Sequence, residues 1–198
     1  EGMKVAPEVK AALMDAALRL EAAGWQVEDI PIPPMQEAAD INAQLWMAEM
    51  RAGAAEMVAL ENEADSQFVF AQMTARSAEI DINGLLNALK NRATLVRQWQ
   101  VFLASHPVVL CPVSGELPFT QQQDVQSEAA FEAIMQSQLT QLALPALGLP
   151  GLTVATGYAG QTPVGVQLIG ARYREDILLA AGEAIEAAGP KIMPSDPA

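Results

Sequence analysis

A thiol–imidazole pair is the first chemistry to test, because the chain holds one cysteine, Cys111, and one histidine, His106. A cysteine nucleophile needs its base within about 3 Å. The residues between them read as a strand, and steps of about 3.3 Å set the two about 16 Å apart. His106 therefore reads as a helix-end residue and Cys111 as a small apolar one. With so few soft ligands, only carboxylates remain for a metal. No G-x-S-x-G elbow occurs, and no glycine-rich phosphate loop follows a strand with its lysine. No catalytic residue, metal ligand or cofactor site is assigned. What remains is a lining: Cys111, Pro112 and Val113 follow the carboxyl end of a strand, where α/β sheets favour ligands. A plain strand-ending turn is the competing reading. Met47, Met50, Ala54 and Met57 form a stripe that suits either an adaptable groove or ordinary core.

The elements that would hold these residues are legible in part. Gln141–Gly170 is the densest glycine and apolar stretch. Gly151–Thr156 and Pro163–Ile169 read as two short β-branched strands. Apolar residues fall on both faces of each, so both are expected to be buried on both sides, at a sheet centre covered by helices and not as an exposed hairpin. Val108-Val109-Leu110 is a third strand, ended by Cys111-Pro112. Pro7 opens a helix carrying Val9, Leu13, Ala16 and Leu20, which Gly24 stops. Trp25–Ile30 alternates as a strand before Pro31. From Met35 to about Ser105 the pattern is helical. One helix face runs from Ile41 to Ala55, a second helix covers Gln67–Ser77, and a third starts near Asp81 or Asn83 as cap. Gly115–Asp124 reads as a surface loop. A further helix runs from Asp124 or Ser127 to about Leu144. In the last helix Ile177, Ala181, Ala184 and Ala188 are expected inward, with Glu175 and Asp176 at its positive end. Lys191–Ala198 reads as a frayed tail.

Composition bounds the function. A chain of 198 residues, 51% hydrophobic, can bury a sizeable core, and no apolar run reaches a membrane span. Neither a signal peptide nor a membrane partner is expected, and the cytoplasm is the expected location. Glu1-Gly2 ahead of the first methionine reads as a start inside a longer protein or as a remnant of cloning. The net charge of −13 opposes nucleic-acid binding, which needs cations to displace counterions.

Several of these stretches carry a resemblance. GLPGLTVATG, then TPVGVQLIGARYREDILLAAGEAIE, resembles the C-terminal signature of the amidase signature family. The matching residues are Gly148, Leu149, Pro150, Thr153, Gly157, Pro163, Gly165, Gln167, Gly170 and Glu175. Ala155 stands where the family usually has proline, and Pro145 where an asparagine commonly precedes the G-L-P. PEVKAALMDAALRLEAAGWQVEDIPIP and VVLCPVSGELPF are similar to other family segments.

The resemblance implies an α/β fold: part of an α/β/α sandwich around a mixed sheet, with a helical middle segment. It implies that residues 1–198 form the C-terminal part of a single amidase-type domain. It also implies amide hydrolysis by a Ser–Ser–Lys triad set in a Gly/Ser-rich N-terminal half. Lys4, Lys10, Lys90 and Lys191 lack that context, so no catalytic residue carries over. The implied partners are a small-molecule amide and the N-terminal half of the same protein, and a homo-oligomer is compatible. Cys111, Pro112 and Val113 would border the substrate, with Trp46 or Met50 opposite. A component of a glutamine-dependent tRNA amidotransferase and a noncatalytic interaction domain that keeps the fold are the two alternatives.

Overall fold

The computed structural model describes residues 3–191. The start at Glu1-Gly2 and the tail from 192 onward, on which expectations were placed, lie outside the described residues. Helices α1 (Pro7–Ala22), α2 (Gln36–Gly53), α3 (Ala55–Glu61), α4 (Ala64–Ala75) and α5 (Ile82–Ser105) precede strand β1 (Val108–Pro112). Helices α6 (Glu128–Ser137) and α7 (Leu139–Leu147), strands β2 (Gly151–Ala159) and β3 (Thr162–Gly170), and helix α8 (Glu175–Ala187) follow. The chain is α/β, as expected. It divides into two compact units.

The unit of residues 4–32, 100–118 and 149–191 is built on a three-stranded sheet in the order β1-β3-β2. Both pairings are antiparallel. Val166 on β3 stands between Pro112 and Val154. One face, with Val154, Val166, Leu168, Val108, Leu110 and Leu152, packs on Leu13, Ala16 and Leu20 of α1 and on Leu178, Ala181 and Ile185 of α8. Val154 and Val166 are buried as expected. Burying each such valine is worth about 1.5–3 kcal/mol.

The expectation of burial on both faces holds for β3, whose residues from Val166 to Gly170 are all buried. It fails for β2. Gly151, Thr153 and Ala155 are exposed, because they lie on the face opposite Leu152 and Val154, and α8 packs on that other face. The two strands are also a hairpin, joined by Gly160-Gln161 with Gly160 at φ 63°. Gly165 is required by close approach: a Cβ there would stand 2.7 Å from the Val154 carbonyl oxygen.

A bulge at Thr156 interrupts the β2–β3 register between Ala155 and Gly157. The Thr156 hydroxyl donates to the Val164 carbonyl at 3.1 Å. The Thr156 carbonyl accepts from Arg19 Nη2 at 3.1 Å. Arg19 Nη1 also donates to the Ile185 carbonyl near the end of α8, at 3.3 Å, and Asp15 pairs with the guanidinium. One side chain thus ties α1 to the bulge and to α8.

Two expectations in this unit are corrected. Trp25–Ile30 joins no strand among the described residues. Gly24 takes φ 90°, and the Trp25 N–H turns back to the Leu20 carbonyl at 3.0 Å, closing a Schellman cap on α1. That cap anchors the indole in the core beside Leu20 rather than in a ladder. On α8 the inward face is Leu178, Ala181, Gly182 and Ile185, whereas Ala188 is exposed. Leucine and isoleucine bury more area than the alanine stripe, so they set the rotation of the helix.

The other unit comprises residues 33–99 and 119–148 with Met3, and it is helical. α2 lies against α7, where Ala38, Ala39, Ala143 and Ala146 are buried and permit close approach. Trp99 is fully buried and donates its indole N–H to the Pro34 carbonyl at 3.4 Å. Asp81 and Ser127 are the caps the structure selects, accepting from Gly84 N–H at 2.7 Å and Ala130 N–H at 3.1 Å. Glu63 caps α4 by accepting from Ser66 N–H at 2.5 Å, which starts that helix earlier than expected. The same backbone bond holds the Glu63 carboxyl below its ordinary range. The expected single helices around 41–57 and 124–144 are each broken. Gly53 ends α2, and Ser137 turns its hydroxyl onto the Ile134 carbonyl at 2.7 Å beside the break at Gln138.

Val166→Asp is expected to abolish cooperative folding, since an unpaired buried charge costs several kcal/mol. Leu179→Asp, on the exposed face of the same unit's α8, is expected to leave the thermal transition within a few degrees of wild type. Circular dichroism melts of both variants check the contrast.

Candidate active-site wall

β1 is an edge strand whose last residues pair with the middle of β3. Cys111 stands opposite Gln167, and Pro112 opposite Val166. Cys111 and Pro112 are buried, and Val113 is half-buried. Pro112 has no N–H to continue the ladder, and β1 stops there. The chain then turns: the Ser114 hydroxyl accepts from Glu116 N–H at 3.3 Å, and the Gly115 carbonyl accepts from Ala6 N–H at 2.7 Å. Cys111–Val113 is therefore a strand end fastened on both sides, not a free loop.

The Cys111 thiol lies 3.7 Å from the Gln167 carboxamide nitrogen, which donates to it. Burial pushes its pKa above the ordinary value of 9.0 to about 12, and the Gln167 bond only partly opposes the shift. Such a thiol is neutral at pH 7 and is no nucleophile. His106 faces elsewhere, with Nδ1 3.0 Å from the Ser105 hydroxyl and its ring stacked on Phe102. The Ser105 hydroxyl also donates to the Phe102 carbonyl at 3.0 Å. Ser105 and His106 thus finish α5; they do not form a base–nucleophile pair with Cys111.

Trp46 and Met50 belong to the other unit, on α2. They are spaced i, i+4 and share a helix face. Trp46 is 47% exposed and Met50 half-buried, while Met47 is buried and Met57 is 66% exposed. The methionine stripe is thus split: Met47 is core and Met57 is surface. Sequence reasoning missed Gln167 as the polar neighbour of Cys111. Its signal was a lone carboxamide in an apolar strand, Val164–Ile169, that is buried on both faces. Among the described residues no group of three histidine, cysteine, aspartate or glutamate side chains could hold a metal ion.

The amidase family model matches residues 1–179. The chain belongs to the amidase family. An indoleacetamide hydrolase of Bradyrhizobium japonicum is 32% identical over 191 residues, covering 94% of this chain and 40% of that protein. A glutamyl-tRNA(Gln) amidotransferase component of Streptococcus thermophilus is 22% identical over 209 residues, covering 94% of this chain and 42% of the relative. This amidase chain therefore spans about two-fifths of the length of the curated relatives it matches. Among solved structures, 6-aminohexanoate cyclic dimer hydrolase complexed with substrate aligns with a TM-score of 0.72 at 18% identity. It covers 94% of this chain and 42% of its own. A Kluyveromyces lactis allophanate hydrolase aligns with a TM-score of 0.76 at 16% identity, over 91% of this chain and 29% of its own. These likenesses give the amidase signature fold.

The thiol makes a pH prediction. Its folded pKa is raised, so its contribution to stability is intact below pH 9.0 and is lost as pH climbs through about 12. The unfolding free energy of wild type is expected to fall over that window, and the fall is expected to be shallower in Cys111→Ala. At pH 8 a thiol-reactive dye is expected to label Cys111 only on unfolding; fast labelling of folded protein would contradict its burial.

Proposed function

We propose that this chain is the C-terminal scaffold and substrate-pocket portion of an amidase. The longer enzyme would hydrolyse a carboxamide to an acid and ammonia or an amine. Its Ser–Ser–Lys residues would lie outside residues 1–198, in the N-terminal half with which this chain would pair. The single observation that carries the reading is the family match over residues 1–179, joined to a chain whose one thiol is buried and protonated. Hydrolysis would come from a serine supplied by the partner half. Cys111, Pro112 and Val113 would line the acyl or leaving-group side of the cleft. These residues would set specificity, not chemistry.

Two relatives named indoleacetamide hydrolase, at 32% and 33% identity, put an arylacetamide first among substrates to assay. The reading as an amidotransferase component has less support, at 22% identity over the same share of the chain. An interaction domain that keeps the fold is favoured only if the longer gene lacks the serines and lysine. Among the described residues no helix is long and apolar enough to cross a membrane.

The test is turnover of an amide panel by the longer protein and by residues 1–198 alone. The longer protein is expected to release ammonia or amine, and the chain alone to match buffer. In the longer protein, Val113→Trp is expected to lower kcat/KM for bulky amides by about tenfold or more and to spare small ones. Unchanged selectivity would place Val113 outside the pocket. Turnover by the chain alone would contradict the assignment of chemistry to the other half.

A further inference from the structure

The start of α5 holds the dipeptide Asn83-Gly84, and the two residues are there for different reasons. Gly84 is a packing requirement: a Cβ would stand 2.8 Å from Ile80 Cβ and 3.3 Å from its Cγ2. Asn83 is exposed in the first helical turn. Glycine after asparagine removes the side chain that normally shields the peptide nitrogen from the preceding carboxamide. The chemistry this permits is intramolecular. The Gly84 backbone nitrogen attacks Asn83 Cγ, an N–C bond forms, the Cγ–N bond breaks and ammonia leaves. Water then opens the succinimide at either carbonyl, giving aspartate or isoaspartate.

Two features of the structure oppose that attack. The Gly84 N–H donates to Asp81 Oδ1 at 2.7 Å, so the nitrogen is held by a carboxylate and resists losing its proton. The first helical bond, Leu85 N–H to the Asp81 carbonyl at 2.9 Å, fixes the same turn. Helical backbone at Asn83 points the Gly84 nitrogen away from the Asn83 carboxamide. We infer that Asn83 is a latent deamidation site, and that the Asp81 cap is what keeps it from reacting. Conversion to aspartate would add a carboxylate where the helix dipole favours one. Conversion to isoaspartate would insert a methylene into the backbone and break the first turn of α5. The lifetime of this helix start is thus set by one capping hydrogen bond. The inference is independent of the catalytic reading, because it concerns the chain's own backbone.

The experiment incubates residues 1–198 at pH 8 and 37 °C and follows Asn83 by peptide mapping with mass spectrometry. Wild type, Asp81→Ala and Asp81→Ser are compared, alongside wild type in urea and Asn83→Gln as the unreactive control. Asp81→Ala is expected to lose the amide about tenfold faster than wild type, the size of one charge-assisted hydrogen bond. Asp81→Ser, which restores a cap, is expected to recover part of the protection while folding equally well by circular dichroism. Urea-unfolded wild type is expected to react fastest. Equal rates in folded wild type and Asp81→Ala would overturn the role of the cap. A stable Asn83 even in urea would overturn the site itself.

Discussion

β3 is the constraint on which its unit depends. From Val166 to Gly170 it is buried on both faces, so its backbone N–H and C=O groups cannot turn to water. They must be met sideways, and β1 and β2 meet them. The pairing is close enough that Gly165 cannot carry a side chain against the Val154 carbonyl. The extra residue at Thr156 then leaves one carbonyl without a ladder partner, and Arg19 takes it. α1 and α8 are therefore placed by the need to satisfy polar groups as well as by the valine and leucine face they cover.

Arg19 is one case of a wider use of positive charge. Arg51 on α2 donates to the Thr74 carbonyl at 2.6 Å and pairs with the Ser77 carbonyl at the end of α4. Arg92 on α5 donates to the Ala146 carbonyl at 2.6 Å, near the end of α7. Each guanidinium reaches at least one carbonyl at or near the C-terminal end of a helix, where the dipole is negative. Arg76 pairs with Glu132, and Arg174 with Asp176 at 2.9 Å. In a chain of net charge −13, Arg19, Arg51 and Arg92 are taken up by backbone carbonyls, while the more exposed pairs of Arg76 and Arg174 add little.

Local signals made much of this legible. The β-branched runs around Val154, Val166 and Val109 gave strands, and Asp81 and Ser127 gave helix starts, because those signals act over a few residues. Trp25–Ile30 misled for the same reason. Its alternation is real, but Gly24 at φ 90° draws the Trp25 N–H to α1. The exposed face of β2 depends on which faces other elements cover, which periodicity does not encode. At the candidate site, the strand end at Cys111-Pro112 could be read from proline. Gln167 stands out as a lone carboxamide in its strand, but its pairing with Cys111 could not be read, since it joins residues 56 positions apart.

On the proposed reading, residues 1–198 contribute scaffold to an amidase and leave the nucleophile to the other half. Cys111 is neutralised by burial, His106 is committed to a helix end, and the hydroxyls of Ser105 and Ser137 donate to helix carbonyls. A serine attacks an amide only when a base takes its proton; Ser137 is buried against the Ile134 carbonyl, and Ser105 lies against the Phe102 carbonyl and His106 at the end of α5. The most direct measurement is labelling of purified residues 1–198 with a fluorophosphonate probe, read by intact mass and peptide mapping. No serine is expected to be labelled above the denatured control. Stoichiometric labelling of one serine in the folded chain would contradict it.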